Sequence, residues 1–114
     1  MEKMNIINLT THAIILIDSE GKVMRRIESS GVARVSSKTS TIGALDGIPV
    51  TYTTFGAVEG LPAPRDGTKY IVSLLVMQQV AHIRSDLFRP DTGPQSVVRN
   101  AAGEIVGVKA LTRS

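Results

Sequence analysis

Short apolar runs alternate with polar turn residues along the first third of the chain, which is typical of β-strands. Strands are predicted at Asn5–Leu9, Ala13–Ile17 and Lys22–Ile27. The last two are joined by the turn residues Asp18–Gly21 and therefore predict a β-hairpin with a four-residue loop. A fourth strand is predicted over Gly31–Val35.

The next segment, Ser36–Thr41, is polar and rich in β-branched residues, and it is typical either of an edge strand or of a mobile loop. As an edge strand it could extend the sheet of a partner protein. Asp46-Gly47 predicts a turn, and Ile48–Phe55 then alternates apolar and polar residues with the period of a half-buried strand. Pro49 restricts that strand to an edge or to a start position, because proline lacks an amide donor.

The second half continues the pattern with one interruption. The spaced prolines of Gly60–Thr68 predict a stiff connector, and Tyr70–Ser73 reads as a buried strand. Apolar residues four positions apart in Leu74–Ile83 favour a short helix, although a continued strand stays open. Strands at Ser96–Arg99 and Glu104–Leu111 complete the chain.

These elements predict a mainly β (α+β) fold in one domain spanning residues 1–114. The expected architecture is a small antiparallel β-barrel or sandwich of about seven short strands, with one short helix near residues 74–83. Apolar residues make up 42% of the chain and aromatic residues only 4%, so the core must be largely aliphatic.

Composition narrows the function classes. The net charge of +3 favours anionic partners, but the scattered basic residues make a nucleic-acid surface the least favoured class. The chain has no cysteine and two histidines, and it shows no recognisable cofactor motif, so neither a metal nor a cofactor is expected. The sequence predicts no membrane-spanning segment and no signal peptide, which indicates a soluble, cytoplasmic protein.

The segment Asp86–Arg99, called the site loop below, combines prolines, a glycine, aspartates and arginines between apolar runs. Ordered polar loops commonly carry binding chemistry, so a ligand site is predicted here. Arg89 and Arg99 would hold a phosphate or carboxylate, because guanidinium groups bind such anions bidentately. Backbone amides near Thr92 and Gly93 would assist.

Two aromatic residues could stack on the base of a nucleotide-like ligand. Phe88 lies amid polar residues of the site loop, and it could either stack on a ligand or anchor the loop in the core. Tyr52 is the second candidate for stacking. The expected ligand is therefore small, anionic and nucleotide-like.

The triplet Asp91-Thr92-Gly93 invites an aspartic-protease interpretation. It does not follow an apolar strand, since Arg89 and Pro90 precede it and Pro94 follows, and this disfavours protease chemistry. We expect Pro90, Asp91 and Pro94 to be structural instead, with the Asp91 carboxylate accepting backbone amides of the turn.

Arg84 also flanks the site loop and could bind an anion. The alternative is that Arg84, Arg89 and Arg99 form structural ion pairs with Asp86 and Asp91. We favour the ion pair for Arg84, which leaves Arg99 as the arginine most suited to ligand contact.

A second polar cluster lies between the first two predicted strands. Thr10 and His12 could hydrogen-bond a ligand, and His12 could serve as a general base. The alternative is a purely structural role for this histidine. An enzyme built on His12 would require Asp91 to approach it in space, and no other catalytic set is evident, so no enzymatic activity is expected.

Segments along nearly the whole chain resemble a group of small, largely uncharacterised proteins found in bacterial and bacteriophage genomes. The matching segments are Ile7–Ile14, Gly31–Val35, Gly47–Val50, Phe55–Pro62, Gly67–Ser73, Pro90–Pro94 and Val98-Arg99. The chain departs from the group at Thr11, where proline is common.

This resemblance implies a phage accessory protein that counters host defence in the host cytoplasm. By analogy, it would act as a homo-oligomeric sponge that sequesters a cyclic-nucleotide immune signal without catalysis. The alternative is a structural or protein-binding module, either a virion component or an inhibitor of a host protein.

Overall fold

The computed structural model describes residues 4–80 and 82–113, and it is mainly β. The described residues form ten strands, one α-helix and three separate sheets, none of which closes into a barrel. In chain order the elements are β1 (Asn5–Asn8), β2 (Ile14–Ile17), β3 (Val23–Ile27), β4 (Arg34–Leu45), β5 (Ile48–Glu59), β6 (Thr68–Ile71), α1 (Leu74–Val80), β7 (Leu87–Pro90), β8 (Val97–Arg99), β9 (Ile105–Val108) and β10 (Leu111–Arg113).

The first sheet has the order β1-β6-β7-β10 and is largely parallel. β1 pairs with β6 in parallel over Asn5–Asn8, although more than fifty residues separate the two strands in sequence. β6, α1 and β7 form a β-α-β unit, the usual way to connect adjacent parallel strands. The antiparallel strand β10 completes the sheet beside β7.

The second sheet has the order β3-β2-β9-β8 and consists of two hairpins. β2 and β3 form one hairpin, and β8 and β9 form the other. The hairpins meet where β2 runs parallel to β9, with Leu16 opposite Val108.

The core lies on both faces of the first sheet, because neighbouring strand residues point to opposite sides. Tyr70 belongs to one buried cluster, which includes Val76 and Met77 of α1. The next residue, Ile71, packs in a second cluster with Ile14 and Ile27 of the other sheet. The first sheet therefore contacts the helix on one face, and Ile71 contacts Ile14 and Ile27 of the second sheet on the other.

The β4–β5 hairpin, called the arm below, forms a sheet of its own. Its strands of 12 residues each would span about 40 Å when extended. At the base, Val35 and Val58 pack against the cluster around Tyr70. Most of the remaining arm residues are exposed, and the radius of gyration is 17.2 Å, against about 13 Å for a compact chain of this length.

The tip of the arm is a two-residue turn at Asp46-Gly47. Both residues have positive φ, 51° and 80° respectively, as a type I′ hairpin turn requires. Aspartate tolerates this region better than most residues, and glycine adopts it without steric cost. The turn therefore sets the register of the arm, with Leu45 opposite Ile48.

The structure corrects parts of the predicted fold. There are ten strands rather than about seven, two of them are long, and several pairs are parallel rather than antiparallel. Ser36–Thr41 lies within β4, so the mobile-loop alternative is wrong. The helix prediction is confirmed over Leu74–Val80.

Two boundaries near the C-terminus were also wrong. Leu87–Pro90, placed in the site loop by the sequence, forms the inner strand β7. The single strand predicted over Glu104–Leu111 is divided into β9 and β10. The division lets the chain pass from one sheet to the other, because β9 pairs with β2 and β8 whereas β10 pairs with β7.

Candidate functional site

The polar cluster after β1 is organised by Asn8, whose side chain is fully buried. Its amide nitrogen donates to the carbonyl oxygens of His12 at 2.8 Å and Ile27 at 3.0 Å. Its amide oxygen accepts from the backbone N–H of Thr10 at 2.9 Å and from the Thr10 hydroxyl at 2.7 Å. Asn8 therefore fixes the β1–β2 loop and ties it to the end of β3.

The two predicted ligand residues of this loop have different surroundings. The Thr10 hydroxyl is half-buried and lies within hydrogen-bond distance of both Asn8 Oδ1 and the His12 carbonyl oxygen, so it also helps to hold the loop. His12 is exposed, and its backbone carbonyl is what the loop uses. In the part of the chain that the structure describes, the His12 imidazole makes no hydrogen bond.

The turn after β7 is held by Asp91. Asp91 Oδ1 accepts from the backbone N–H of Gly93 at 3.0 Å, the arrangement expected for an aspartate two residues before the turn glycine. The backbone N–H of Asp91 itself donates to the carbonyl oxygen of Ala110 at 3.0 Å. Because the Gly93 amide is already engaged, it would have to leave Asp91 before it could bind a phosphate. Thr92 is exposed at the apex, between Pro90 and Pro94.

The other predicted ligand residues are distributed over both sheets. Arg89 lies on β7, half-buried, with Nη1 at 3.5 Å from the carbonyl oxygen of Pro90. Arg99 ends β8 in the second sheet, and its Nη1 donates to the carbonyl oxygen of Gly103 at 2.7 Å, across the β8–β9 turn. The two arginines that the sequence assigned to one phosphate therefore belong to different sheets.

Phe88 is a strand residue and not part of a polar loop. It lies on β7, opposite Ile71 of β6, and is half-buried. With Met4, Ile6 and Leu111 it lines a shallow apolar concavity of about 270 Å³, with Lys69 also in the lining. Phe88 therefore lies mainly among apolar side chains at this concavity, and stacking on a ligand stays a prediction.

Arg84 and Asp86 form a bidentate ion pair just before β7. Arg84 Nε and Nη2 each donate to an Asp86 carboxylate oxygen at 2.9 Å, and only 11% of either side chain is exposed. The guanidinium lowers the pKa of Asp86 and the carboxylate raises the pKa of Arg84. Arg84 Nη2 also donates to the carbonyl oxygen of Pro62 at 2.9 Å. The pair fastens the 60–68 connector to the core, as the structural alternative for Arg84 requires.

A different cavity combines polar and apolar groups. It has a volume of about 330 Å³ and lies between the β1–β2 loop, the start of β4 and the start of α1. We call it the Arg34 hollow. The residues that line it are Leu9, Thr10, Thr11, Val32, Ala33, Arg34, Val35, Ser73, Leu75 and Val76. The lining thus combines hydroxyl-bearing residues and one arginine with aliphatic residues.

Arg34 is the residue of this hollow that the sequence analysis did not single out. It is exposed, and within residues 4–80 and 82–113 its guanidinium makes no hydrogen bond. Glu59 stands opposite it on β5, at the base of the arm. The sequence does contain one indication of this residue, because Arg34 is the one charged residue of the otherwise apolar Gly31–Val35 segment.

The remaining depression near the site loop is mainly apolar. Pro90 and Thr92 form one side of it and residues of β2 and β9 the other, with a volume of about 250 Å³. Across the described ranges, no group of three or more acidic, histidine or cysteine side chains is placed to hold a metal ion.

Comparisons with protein-family models, with curated proteins and with solved structures give no match for this chain. Among the described residues, α1 is far too short to cross a lipid bilayer, and no other helix is present that could.

Proposed function

We propose that this chain is a non-enzymatic binding protein for a small anionic, nucleotide-like ligand, and that the ligand binds in the Arg34 hollow. The observation that carries the proposal is a single lining that combines Arg34, whose guanidinium has no hydrogen-bond partner among the described residues, with Thr10, Thr11, Ser73 and aliphatic residues. A volume of about 330 Å³ is at the small end of the range for ligand sites, roughly 300–1,000 Å³. Guanidinium and hydroxyl groups bind anions well, but they stay in one protonation state near neutral pH and are therefore poorly suited to acid–base catalysis.

Three features of the Arg34 hollow support a particular orientation of the bound ligand. Arg34 would contact the anionic group at the outer rim, where its guanidinium is exposed. Leu75 and Val76 would face the apolar part of the ligand. Glu59 stands opposite Arg34 but forms no ion pair with it in the part of the chain that the structure describes, so the guanidinium would not have to leave a partner to bind a ligand.

The resemblance described above extends this proposal. We propose that the protein is a phage accessory protein of the host cytoplasm, that it assembles as a homo-oligomer, and that it sequesters a cyclic-nucleotide immune signal. Native mass spectrometry of the purified protein would test this, because a sponge should release a stoichiometric nucleotide on denaturation. An apo mass, with no thermal shift from a panel of cyclic nucleotides, would contradict it.

The first binding experiment compares two arginines by calorimetry with a panel of linear and cyclic mono- and dinucleotides. Arg34→Gln should weaken binding about 10- to 100-fold, because it removes a charge-assisted hydrogen bond. Arg99→Gln, on the β8–β9 turn, should bind as the wild type does. Loss of binding in Arg99→Gln with retention in Arg34→Gln would place the ligand at the site loop instead.

Glu59→Gln provides the matched control for charge. Removing this negative charge, which stands opposite Arg34, should strengthen binding of the same anionic nucleotides by a few-fold. Weaker binding in this variant would mean that Glu59 contacts the ligand, and the proposed position of the anionic group would be wrong.

A second candidate function is a protein-binding module, and the arm favours it. Ser37–Thr41 pairs with β5 without a register shift, and the opposite edge of β4 carries no other strand among the described residues. Such an edge can extend a partner sheet. For this function, the wild type and Arg34→Gln should both capture a host protein, and Thr39→Lys should not. That result would support protein binding over ligand binding.

We also propose that the two four-stranded sheets form a small sandwich. The support is the single cluster in which Ile14 and Ile27 of the second sheet contact Ile71 of the first. Ile71→Ala should then destabilise both sheets together, with one unfolding transition and a loss of about 3 kcal/mol. Separate transitions for the two sheets would contradict the sandwich.

A further inference from the structure

Near its tip, the arm exposes large apolar side chains mainly on one of its two faces, whereas Phe55 lies on the other face, nearer the base. Directly opposed residues share a face, as do alternate residues of one strand. Ile48, Val50 and Tyr52 therefore lie on the same face, together with Leu45, which is opposite Ile48. Leu45 is 70% exposed, Ile48 64% and Tyr52 60%. We call this the apolar face of the arm.

The opposite face is different in character. Thr51 and Thr53 stand there with their partners Thr41 and Thr39. The Oγ1 atoms of Thr39 and Thr53 lie 2.8 Å apart, at hydrogen-bond distance. Some polar groups of this face therefore hydrogen-bond to each other. Threonine hydroxyls are compatible with water, whereas exposed leucine, isoleucine and tyrosine in one stripe are the pattern of a contact surface.

The described chain offers this face nothing to pack against. A two-stranded hairpin is only marginally stable in water without packing, yet the arm maintains ten paired positions and an ordered type I′ turn. Only the base of the arm reaches the core, through Val35 and Val58. The distal part therefore lacks the burial that hairpins of this length need.

Near the tip of the arm, the strand edges are less suited to a protein contact than the apolar face is. Leu45 and Ile48 close the two-residue turn and form a hydrogen-bonded pair. In the next pair, Ala44 and Pro49, the backbone N–H and C=O positions therefore point outward, away from the partner strand. Proline lacks the N–H that would point outward from β5, and the register shift at Ile42 interrupts β4. Both devices discourage edge-to-edge pairing.

We propose that the apolar face of the arm is a two-fold interface with a second copy of this chain, in which the two arms pack face to face and antiparallel. Two-fold contacts bring the same patch of both copies together, so the patch must be complementary to itself. The proposal does not depend on the ligand in the Arg34 hollow.

Charge is the first argument for a second copy as the partner. Lys38 and Asp46 are the only charged residues between Arg34 and Glu59, and they lie near opposite ends of β4. An antiparallel arrangement centred near residue 42 sets Lys38 of each copy against Asp46 of the other. It also places Tyr52 over the Leu45–Ile48 pair, so that an aromatic ring covers aliphatic side chains.

Area is the second argument. The exposed parts of Leu45, Ile48 and Tyr52 alone come to roughly 400 Å² in each copy, so the pair would bury at least about 800 Å², the size of a weak or transient interface.

The first experiment measures mass by sedimentation equilibrium from 1 to 100 µM. The wild type should be a dimer or a multiple of it, and Tyr52→Glu should weaken the association at least 100-fold. Thr51→Glu is the matched control, because it adds the same charge one position away on the opposite face, and it should associate normally. A monomeric wild type, or equal dissociation of both variants, would overturn the proposal.

The second experiment uses cross-linking, because the chain has no cysteine of its own. Gly43 lies on the apolar face opposite Val50, and a Cβ there would meet no atom within 4 Å, so Gly43→Cys leaves the fold intact. A short bismaleimide should join two copies of Gly43→Cys rapidly. Ala44→Cys, on the other face, should cross-link at least ten-fold more slowly, and equal rates would exclude the face-to-face arrangement.

The third experiment tests the charge complementarity. Lys38→Glu should weaken the dimer about ten-fold, and the double variant Lys38→Glu/Asp46→Lys should regain most of that loss. Asp46→Lys is measured alone as well, since it also changes the turn. Weaker association of the double variant than of either single variant would contradict the antiparallel orientation.

Discussion

Arg84 and Asp86 illustrate how one pair of side chains holds a long connector in place. The pair is mostly shielded from water, and Arg84 adds a hydrogen bond to the Pro62 carbonyl and lies 6.0 Å from the centre of the Tyr70 ring. Removing one member would leave the other as a charge without its partner, which costs more than the pair itself contributes.

Asp86→Asn should therefore lower the free energy of unfolding by about 2–3 kcal/mol at pH 7. The folded-state pKa of Asp86 lies below its ordinary value of 3.8, so the stabilisation is complete above that value and is lost as the pH falls through the folded-state pKa. Urea unfolding between pH 2 and 7 should show the difference from wild type shrinking below about pH 4. A constant difference would mean that ionisation of Asp86 is not its cause.

Asn8 offers a second test at the level of a single side chain. Asn8→Ala removes the partners of two carbonyl oxygens and of the Thr10 amide in a buried environment, and it should cost about 3 kcal/mol. Asn5→Ala, an exposed position on the same strand, should change stability by less than about 0.5 kcal/mol. Similar losses in both variants would mean that Asn8 does not organise the loop.

Local interactions of the candidate site could be anticipated from the sequence, and distant ones could not. The Arg84–Asp86 pair and the Asp91–Gly93 hydrogen bond each join residues two positions apart, so spacing alone suggests them. The Arg34 hollow assembles residues near positions 10, 34 and 73. Their proximity depends on the parallel pairing of β1 with β6, which no local pattern encodes.

At the scale of elements, Gly107 determines how closely the two hairpins of the second sheet approach. A Cβ at this position would lie 2.4 Å from Ile17 Cδ1 and 2.8 Å from the Ile15 carbonyl oxygen. The constraint is steric and comes from neighbouring β2. At this position β2 and β9 can therefore keep their spacing only if β9 has no side chain.

Gly107→Ala should destabilise the protein by about 2–3 kcal/mol, because a backbone atom cannot move aside as a flexible side chain can. Gly43→Ala is the matched strand control, since a Cβ there has no neighbour within 4 Å, and it should be neutral within about 0.5 kcal/mol. Thermal unfolding of both variants gives the comparison. Equal stability of the two would show that β2 can shift to accept a methyl group.

Turn chemistry and alternation allowed most individual strands to be predicted, whereas strand ends were less predictable. Asp46-Gly47 was predicted as a turn because the two residues favour positive φ. The extent of β4 was not, since Ser36–Thr41 has strand-forming residues but no buried face to produce an alternating pattern. Leu87–Pro90 was missed because a proline and an arginine within a four-residue strand resemble a loop.

At the scale of the whole molecule, the arm is an extension of a body that should fold without it. Replacing residues 37–56 by Asn-Gly joins Ser36 to Ala57 close to the core. The shortened chain should keep a cooperative unfolding transition, and small-angle scattering at low concentration should give a radius of gyration of about 13 Å instead of 17.2 Å. Loss of cooperative unfolding would show that the arm stabilises the body.

The class of fold was predictable at this scale, but the assembly of the sheets was not. Many short strands with few aromatic residues indicate a mainly β protein. The order β1-β6-β7-β10 depends on which distant strands complete the faces of the core, and many arrangements satisfy the same alternation. The number of strands was underestimated for the same reason, because β9 and β10 are distinguished by their partners in different sheets.

The long-range pairing of β1 has a consequence for the order of folding. During synthesis the arm is complete before β6 has been made, and its contacts are local, so it can form within microseconds of leaving the ribosome. β1 must wait for Thr68–Ile71 before its sheet begins. For that interval the apolar face is available while the core is open. In the dimer proposed above, nascent chains on neighbouring ribosomes of one messenger RNA would meet through their arms, and pairing during translation would protect an aggregation-prone intermediate.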